Sequence, residues 1–283
     1  MPYRCLASVL LVPLFAANAS GSERIALTVG QLTIPPGFST PDGAVQLLVH
    51  FHGDPKVVEQ KVARLDANVV IVNVTLNGLS GVYRDRFLKP ETFTRLLDES
   101  LEQLRQRKLS ESPTIARITV SSFSAGFGAV RELLKSEEHY RRIDAIVMAD
   151  SIYAGFIDDG QQSPVEMKRD VEPKHMEGFL RFAHDAVDGR KTLVVSHCQL
   201  RPETYASTAE TADYLLKQLQ LDQERTAVNE DWADGWRCLS RCDRGDLHVL
   251  SFAGETGTDH MQHLRNLDHL LRIAGADLST GGK

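Results

Sequence analysis

Little in this sequence could staple or anchor it. There are four cysteines in 283 residues, aromatic residues make up only 7%, and no repeat or low-complexity linker divides the chain. Beyond residue 19 no apolar run approaches the roughly 20 residues that a membrane-spanning helix needs, so stable membrane insertion is not expected. Positive charge is not in excess either. With 32 Lys and Arg against 38 Asp and Glu, spread along the chain, the formal charge is −6, which leaves no electrostatic footprint for nucleic-acid phosphates. What remains, 42% hydrophobic and 25% charged residues, is the composition of an ordinary globular protein. A single domain of this length buries about three quarters of the surface of its unfolded chain, so neither metals nor several disulfides are required to hold it.

The N-terminus has a distinct character. Arg4 supplies a positive charge ahead of the apolar run Leu6 to Ala16, and Ala17-Asn18-Ala19 offers small residues for cleavage before Ser20. Residues 1–19 therefore read as a signal peptide and residues 20–283 as a single domain, secreted or periplasmic. An anchor would need a longer run, and this one contains Pro13. Export provides conditions in which disulfides persist, so among Cys198, Cys238 and Cys242 one disulfide and one free thiol are expected.

From Ala44 onward short β-branched runs alternate with helical stretches, the pattern of an α/β protein whose mostly parallel central sheet has helices on both faces. The expected strands are Val45–Phe51, Val69–Val74, Ile118–Ser121, Ala145–Ala149, Thr192–Ser196 and Leu247–Phe252, most too uniformly apolar to be exposed on one face. Helices are expected over Thr92–Arg107, Gly126–Leu134, Met176–Ala186, Thr208–Leu219 and His263–Ile273. Ile25–Pro35 adds one or two antiparallel edge strands, and the polar segments Ile157–Lys174 and Gln223–Arg244 read as loops over one rim.

The most informative stretch is Ile118 to Ala129, a buried strand that enters a helix through a turn of small residues. At such a corner Ser124 would be held in a strained conformation that lifts its hydroxyl clear of the sheet. Ser122 and Gly126 flank it, so the motif is S-x-S-x-G where G-x-S-x-G is common. The plainer reading is a serine that caps the following helix.

On this corner, and on landmarks that arrive in the same order, Ile25 to Gly275 resembles the α/β-hydrolase family. His50-Phe51-His52-Gly53-Asp54, directly after Val45 to Val49, is similar to the family's His-Gly turn. The resemblance implies an oxyanion hole made by the N–H of Gly53 or Asp54 together with that of Ala125. His50 and His52 also admit a plain strand-end role or, with Asp54, a metal site, for which no third imidazole is evident. After the last strand the segment Glu255 to His263 holds His260 and His263. His260 is preferred as general base because a loop or first helical turn lets its side chain point over the sheet edge; His263 is the alternative, and the two together would suit a metal. His269 reads as a helix-surface residue.

The acid is harder to place, because Thr192–Ser196 runs into His197-Cys198-Gln199 without a carboxylate. One strand earlier Asp150 follows Ala145–Ala149, a point at which some family members carry their acid. Asp150 is chosen over Glu203, Asp158 and Asp159, its alternative being a loop cap. On the rim Tyr83 and Arg84, with Phe87 nearby, are candidate substrate-binding residues. Trp232 and Trp236 would either stack on a sugar or lock a loop to the body.

The expectation is an exported serine hydrolase that cleaves a carboxylic ester of a small or glycan-linked substrate through an acyl-enzyme intermediate, using Ser124, His260 and Asp150 and no cofactor. A long apolar lid of the kind lipid hydrolysis often uses is missing from the sequence. A peptidase, amidase or acyltransferase would use the same residues, and a noncatalytic binding protein on the same fold or metal-dependent hydrolysis at His260 and His263 are the competing classes.

Overall fold

Strands that are apolar on both faces find stable burial only between two layers, and that requirement organises the chain. The computed structural model describes residues 21–65, 67–157, 170–233 and 235–275. Its strands are β1 (Glu23–Ala26), β2 (Gln31–Ile34), β3 (Ala44–Phe51), β4 (Val70–Val74), β5 (Thr114–Phe123), β6 (Ala145–Ala149), β7 (Thr192–His197), β8 (Thr226–Ala233), β9 (Trp236–Arg244) and β10 (Leu247–Phe252). Among the described residues they form one sheet in the order β1-β2-β4-β3-β5-β6-β7-β10-β9-β8. The six central strands, β4 to β10 in that order, run parallel, and both edges are closed by antiparallel pairs. Register is tight at the centre: Val49 lies between Val72 and Val120, and every residue of β4 and β6 is buried.

The helices are α1 (Pro55–Ala63), α2 (Ser80–Phe87), α3 (Glu91–Gln106), α4 (Phe127–Leu133), α5 (Glu137–Arg142), α6 (Glu177–Val187), α7 (Thr208–Gln218), α8 (Gly257–Arg265) and α9 (Leu267–Ile273). On one face α2, α3, α4, α6 and α7 press Phe87, Leu97, Val130, Phe182 and Leu215 against Val49, Val120, Ile146 and Val195. On the other, α1, α8 and α9 set Val58, Leu264 and Leu270 against Leu48, Val147 and Leu250. The spacing of Phe93, Leu96, Leu97 and Leu104 explains α3, since all four fall on its buried stripe.

Several expectations change. The segment Gln223–Arg244 is mostly not loop but the hairpin β8–β9, whose polar residues are exposed while Trp236, Cys238 and Cys242 point inward. The last helix is two, broken at Asn266, where φ is −119°. Helix α1 is additional to the expected set; Asp54 caps it and Pro55 opens it, both ordinary start signals. The expected disulfide is also overturned: Cys198, Cys238 and Cys242 are free and buried. A register shift in the β9–β10 pairing places Cys242 in the core of one face and Cys238 in the core of the other, so the two cannot meet. Trp236 stacks on Phe252 with centroids 3.8 Å apart and Trp232 packs edge-on against both, a structural lock on the hairpin. The expected signal peptide, residues 1–19, and Asp158 and Asp159 lie outside the described residues. Among those described, no helix is long and apolar enough to cross a membrane.

Candidate active site

The carboxyl ends of the parallel strands gather the turns in which a site of such a sheet is built. Strand β5 ends at Phe123, and Ser124 follows at φ 48°, in the left-handed region, as the first residue of a single 3-10 turn that feeds α4. A non-glycine residue there costs about 1–3 kcal/mol, which the surrounding packing must impose. Gly126 shows how: a Cβ on it would lie 2.3 Å from the Phe51 carbonyl oxygen, so helix and strand approach only because that side chain is absent. Ser122, where glycine is common, has a purpose of its own. Its hydroxyl lies 2.6 Å from that of Ser151, which in turn donates to the Ser124 carbonyl at 2.8 Å, tying the corner to the loop after β6.

Asp150 is the first residue of that loop, also at positive φ (46°), and is buried. Its Oδ2 accepts from His260 Nδ1 at 2.6 Å and from the Cys198 thiol at 2.9 Å, while Oδ1 accepts from the Cys198 N–H at 3.3 Å and from the Thr208 hydroxyl. Burial alone would raise its pKa; the His263 and His260 imidazoles and the hydrogen bonds from His260 and Cys198 outweigh that and hold the carboxyl below the usual carboxylate range. The same carboxylate, with burial as the larger cause, pushes the Cys198 thiol up, so Cys198 acts as a neutral donor.

His260 is set by the start of α8, where Thr256 and Asp259 cap each other's backbone N–H groups reciprocally. Gly254, at φ 105°, allows the tight approach, because a Cβ there would collide with Asp259. The His260 ring stacks on Phe123 with centroids 4.5 Å apart, immediately before Ser124 in the chain. Its hydrogen bond to Asp150 assigns the proton to Nδ1, leaving the Nε2 lone pair as acceptor. His263, one turn further, is fully buried and bonds Ser196 through Nδ1 at 2.8 Å; burial lowers its pKa to about 4. The two imidazoles thus serve different partners and do not converge as a pair. The carboxylate of Asp150, the thiol of Cys198 and the ring of His260 do lie within 4.8 Å of one another.

The His-Gly turn is built with equal care. His50 places Nδ1 2.7 Å from the Ser121 hydroxyl and Nε2 2.7 Å from the His52 carbonyl, and burial lowers its pKa to about 4. Both nitrogens are spent, which leaves none to join His52 and Asp54 around a metal. His52, at φ 68°, and Gly53, at φ 121°, swing the chain from β3 into α1, and Asp54 caps that helix by accepting from the Lys56 N–H at 2.9 Å. Tyr83 is fully buried, its hydroxyl within 2.9 Å of His52 Nδ1 and 2.8 Å of the Leu76 nitrogen. Arg84 is exposed and pairs with Asp85 at 2.8 Å. Neither lines the cavity beside Ser124.

That cavity, about 290 Å³, is lined by Leu79, Ser80, Ser124, Ala125, Phe127, Arg131, Tyr153, Ala154, Gly155 and Tyr205. Phe127 and Arg131 follow Ser124 at helical spacings of three and seven, a signal the sequence carried; Tyr205 joins from a distant loop and had no local signal. Nor did Thr208 and Cys198, the further partners of Asp150.

With six parallel strands between antiparallel edges, helices on both faces and a serine at the corner after β5, the chain has the α/β-hydrolase fold. No protein-family model and no curated protein sequence matches it. Among solved structures, an uncharacterised protein from Capnocytophaga ochracea aligns at a TM-score of 0.50 and 12% identity, covering 92% of this chain but 65% of that one. The LpqC poly(3-hydroxybutyrate) depolymerase from Bordetella parapertussis aligns at 0.48 and 12% identity over 87% and 84% of the two chains. The enterobactin esterase FES from Shigella flexneri aligns at 0.47 and 13% identity over 90% and 60%. At these identities the likeness is one of fold.

Proposed function

We propose that this protein is an exported serine hydrolase that cleaves small carboxylic esters. The observation that carries the reading is the 2.6 Å bond between Asp150 and His260, residues 110 apart in sequence, over the strand end that presents Ser124. In this mechanism Ser124 Oγ attacks the ester carbonyl while His260 Nε2 takes its proton, and Asp150 holds the Nδ1–H and stabilises the imidazolium. The N–H of Ala125, at a helical start where donors lack intrahelical acceptors, and that of Gly53 or Asp54 receive the oxyanion. Collapse breaks the ester C–O bond, and His260 returns the proton to the leaving alcohol. Water, deprotonated by the same ring, then hydrolyses the acyl-Ser124 intermediate. A cavity of about 290 Å³ favours a small acyl or alcohol group.

A fluorophosphonate probe tests the roles directly. Labelling is expected in the wild type, absent in Ser124→Ala and strongly slowed in His260→Ala. Labelling that survives Ser124→Ala overturns the nucleophile; labelling lost in His263→Ala but kept in His260→Ala, with both variants folded by circular dichroism, moves the base. Export predicts that N-terminal sequencing of protein recovered outside the cytoplasm begins at Ser20.

A further inference from the structure

One charged group in the cavity is not used by the chemistry above. Arg131 projects from α4 into the space that holds Ser124, and its guanidinium lies over the Phe127 ring, 5.0 Å from the centroid. Among the described residues no carboxylate comes within ion-pairing distance of it. Of its five N–H donors one is taken, by the Tyr153 carbonyl, and Nε is buried without a partner among the described residues. Burial lowers its pKa to about 10, which still leaves it cationic at neutral pH. A second cavity lies against its other side; of the cations that line it Lys135 and Arg181 are already paired, with Glu132 and Glu137, and Glu177 lines it too, whereas Arg131 has no such pair among the described residues. A desolvated guanidinium that lacks an anionic partner and opens into a ligand-sized cavity is a group arranged to receive an anion from outside the chain.

The cavity also bounds the ligand: at about 290 Å³ it admits only a short chain between Ser124 and Arg131. Phe127 and Arg131 lie one turn apart on α4 and line the same cavity as Ser124, which stands at the corner ahead of that helix. Side chains on a helix lean toward its N-terminus, and the Arg131 guanidinium accordingly lies back over the Phe127 ring. Phe127, Tyr153 and Tyr205, in ring contact with one another in turn, line the same cavity and give it aromatic walls beside the cation.

From this arrangement we infer that the preferred substrates are esters bearing a carboxylate a few methylene groups from the scissile carbonyl, with Arg131 as the residue that binds that carboxylate. The inference rests on the hydrolase reading for its chemistry, and its test separates the two. Turnover of monomethyl succinate, glutarate and adipate is compared, by pH-stat, with that of methyl valerate, which matches the glutarate monoester in length and lacks the charge. Wild-type kcat/KM is expected to favour the best anionic ester over methyl valerate at least 10-fold. In Arg131→Met that ratio is expected to fall to about 1, and in Arg131→Lys, which keeps the charge without the planar fork, to an intermediate value. Calorimetric binding of glutarate to the wild type, lost in Arg131→Met, is a readout that needs no turnover. A wild type that hydrolyses methyl valerate and is labelled at Ser124, yet shows no anion preference and binds no glutarate, overturns the role of Arg131 and leaves the hydrolase standing. Glutarate binding that depends on Arg131 without turnover of any ester or labelling keeps the anion site and overturns the hydrolase. A preference that persists unchanged in Arg131→Met rejects this residue as its source.

Discussion

Acidification should weaken the fold through two histidines that take no proton in the native state. His50 and His263 are both fully buried, and burial lowers each from the ordinary 6.5 to about 4. In His50 the Nε2–H donates to the His52 carbonyl, and Nδ1 of the neutral ring accepts from the Ser121 hydroxyl. The folded-state values are depressed, so the unfolded chain binds protons that the folded chain refuses. Stability is therefore complete above about pH 6.5, falls as the pH drops, and stops falling on this account below about pH 4. Between pH 7 and pH 5 the loss is about 2 kcal/mol for each ring, or about 4 kcal/mol together. His197, also buried and shifted the same way, adds to the effect. Urea unfolding at the two pH values measures it, and His263→Gln should lessen the pH dependence by about 2 kcal/mol. A wild-type change below about 1 kcal/mol, or an unaltered dependence in the variant, would refute the assignment of neutral buried rings.

Replacing Asp150 with Asn removes the negative charge and offers His260 Nδ1 an amide N–H that favours the wrong tautomer, and should lower kcat by about 10³ to 10⁴ with little change in KM, read from steady-state ester hydrolysis. Gly126→Ala forces a Cβ to within 2.3 Å of the Phe51 carbonyl oxygen and should cost about 3 kcal/mol or more, measured by urea unfolding; a cost under 1 kcal/mol would mean the corner yields easily. Alkylation of the denatured, unreduced protein should modify Cys198, Cys238 and Cys242 alike in peptide mass spectra, whereas a protected pair would restore the disulfide that the sequence suggested.

Much of the fold was legible because strands buried on both faces leave an unmistakable apolar run. Ala145–Ala149 and Leu247–Phe252 were bounded to the residue, and the small residues around Ser124 marked the corner. The hairpin β8–β9 was not legible, since its outer strand is polar on a solvated edge and shows no alternation to read. The rim residues misled for a related reason: Tyr83 and Arg84 follow a strand as pocket residues do, but one turns inward to His52 and the other outward to Asp85.

What the sequence by itself determined is local: the order of strands and helices, the corner at Ser124, and the presence of two histidines after the last strand. Which of the two meets Asp150, that Cys198 and Thr208 help hold the carboxylate, and that Arg131 and Tyr205 share a cavity with Ser124, were decided only by tertiary structure. These contacts join residues on separate strands and loops, and their distances follow from sheet register and helix packing, which no spacing along the chain encodes.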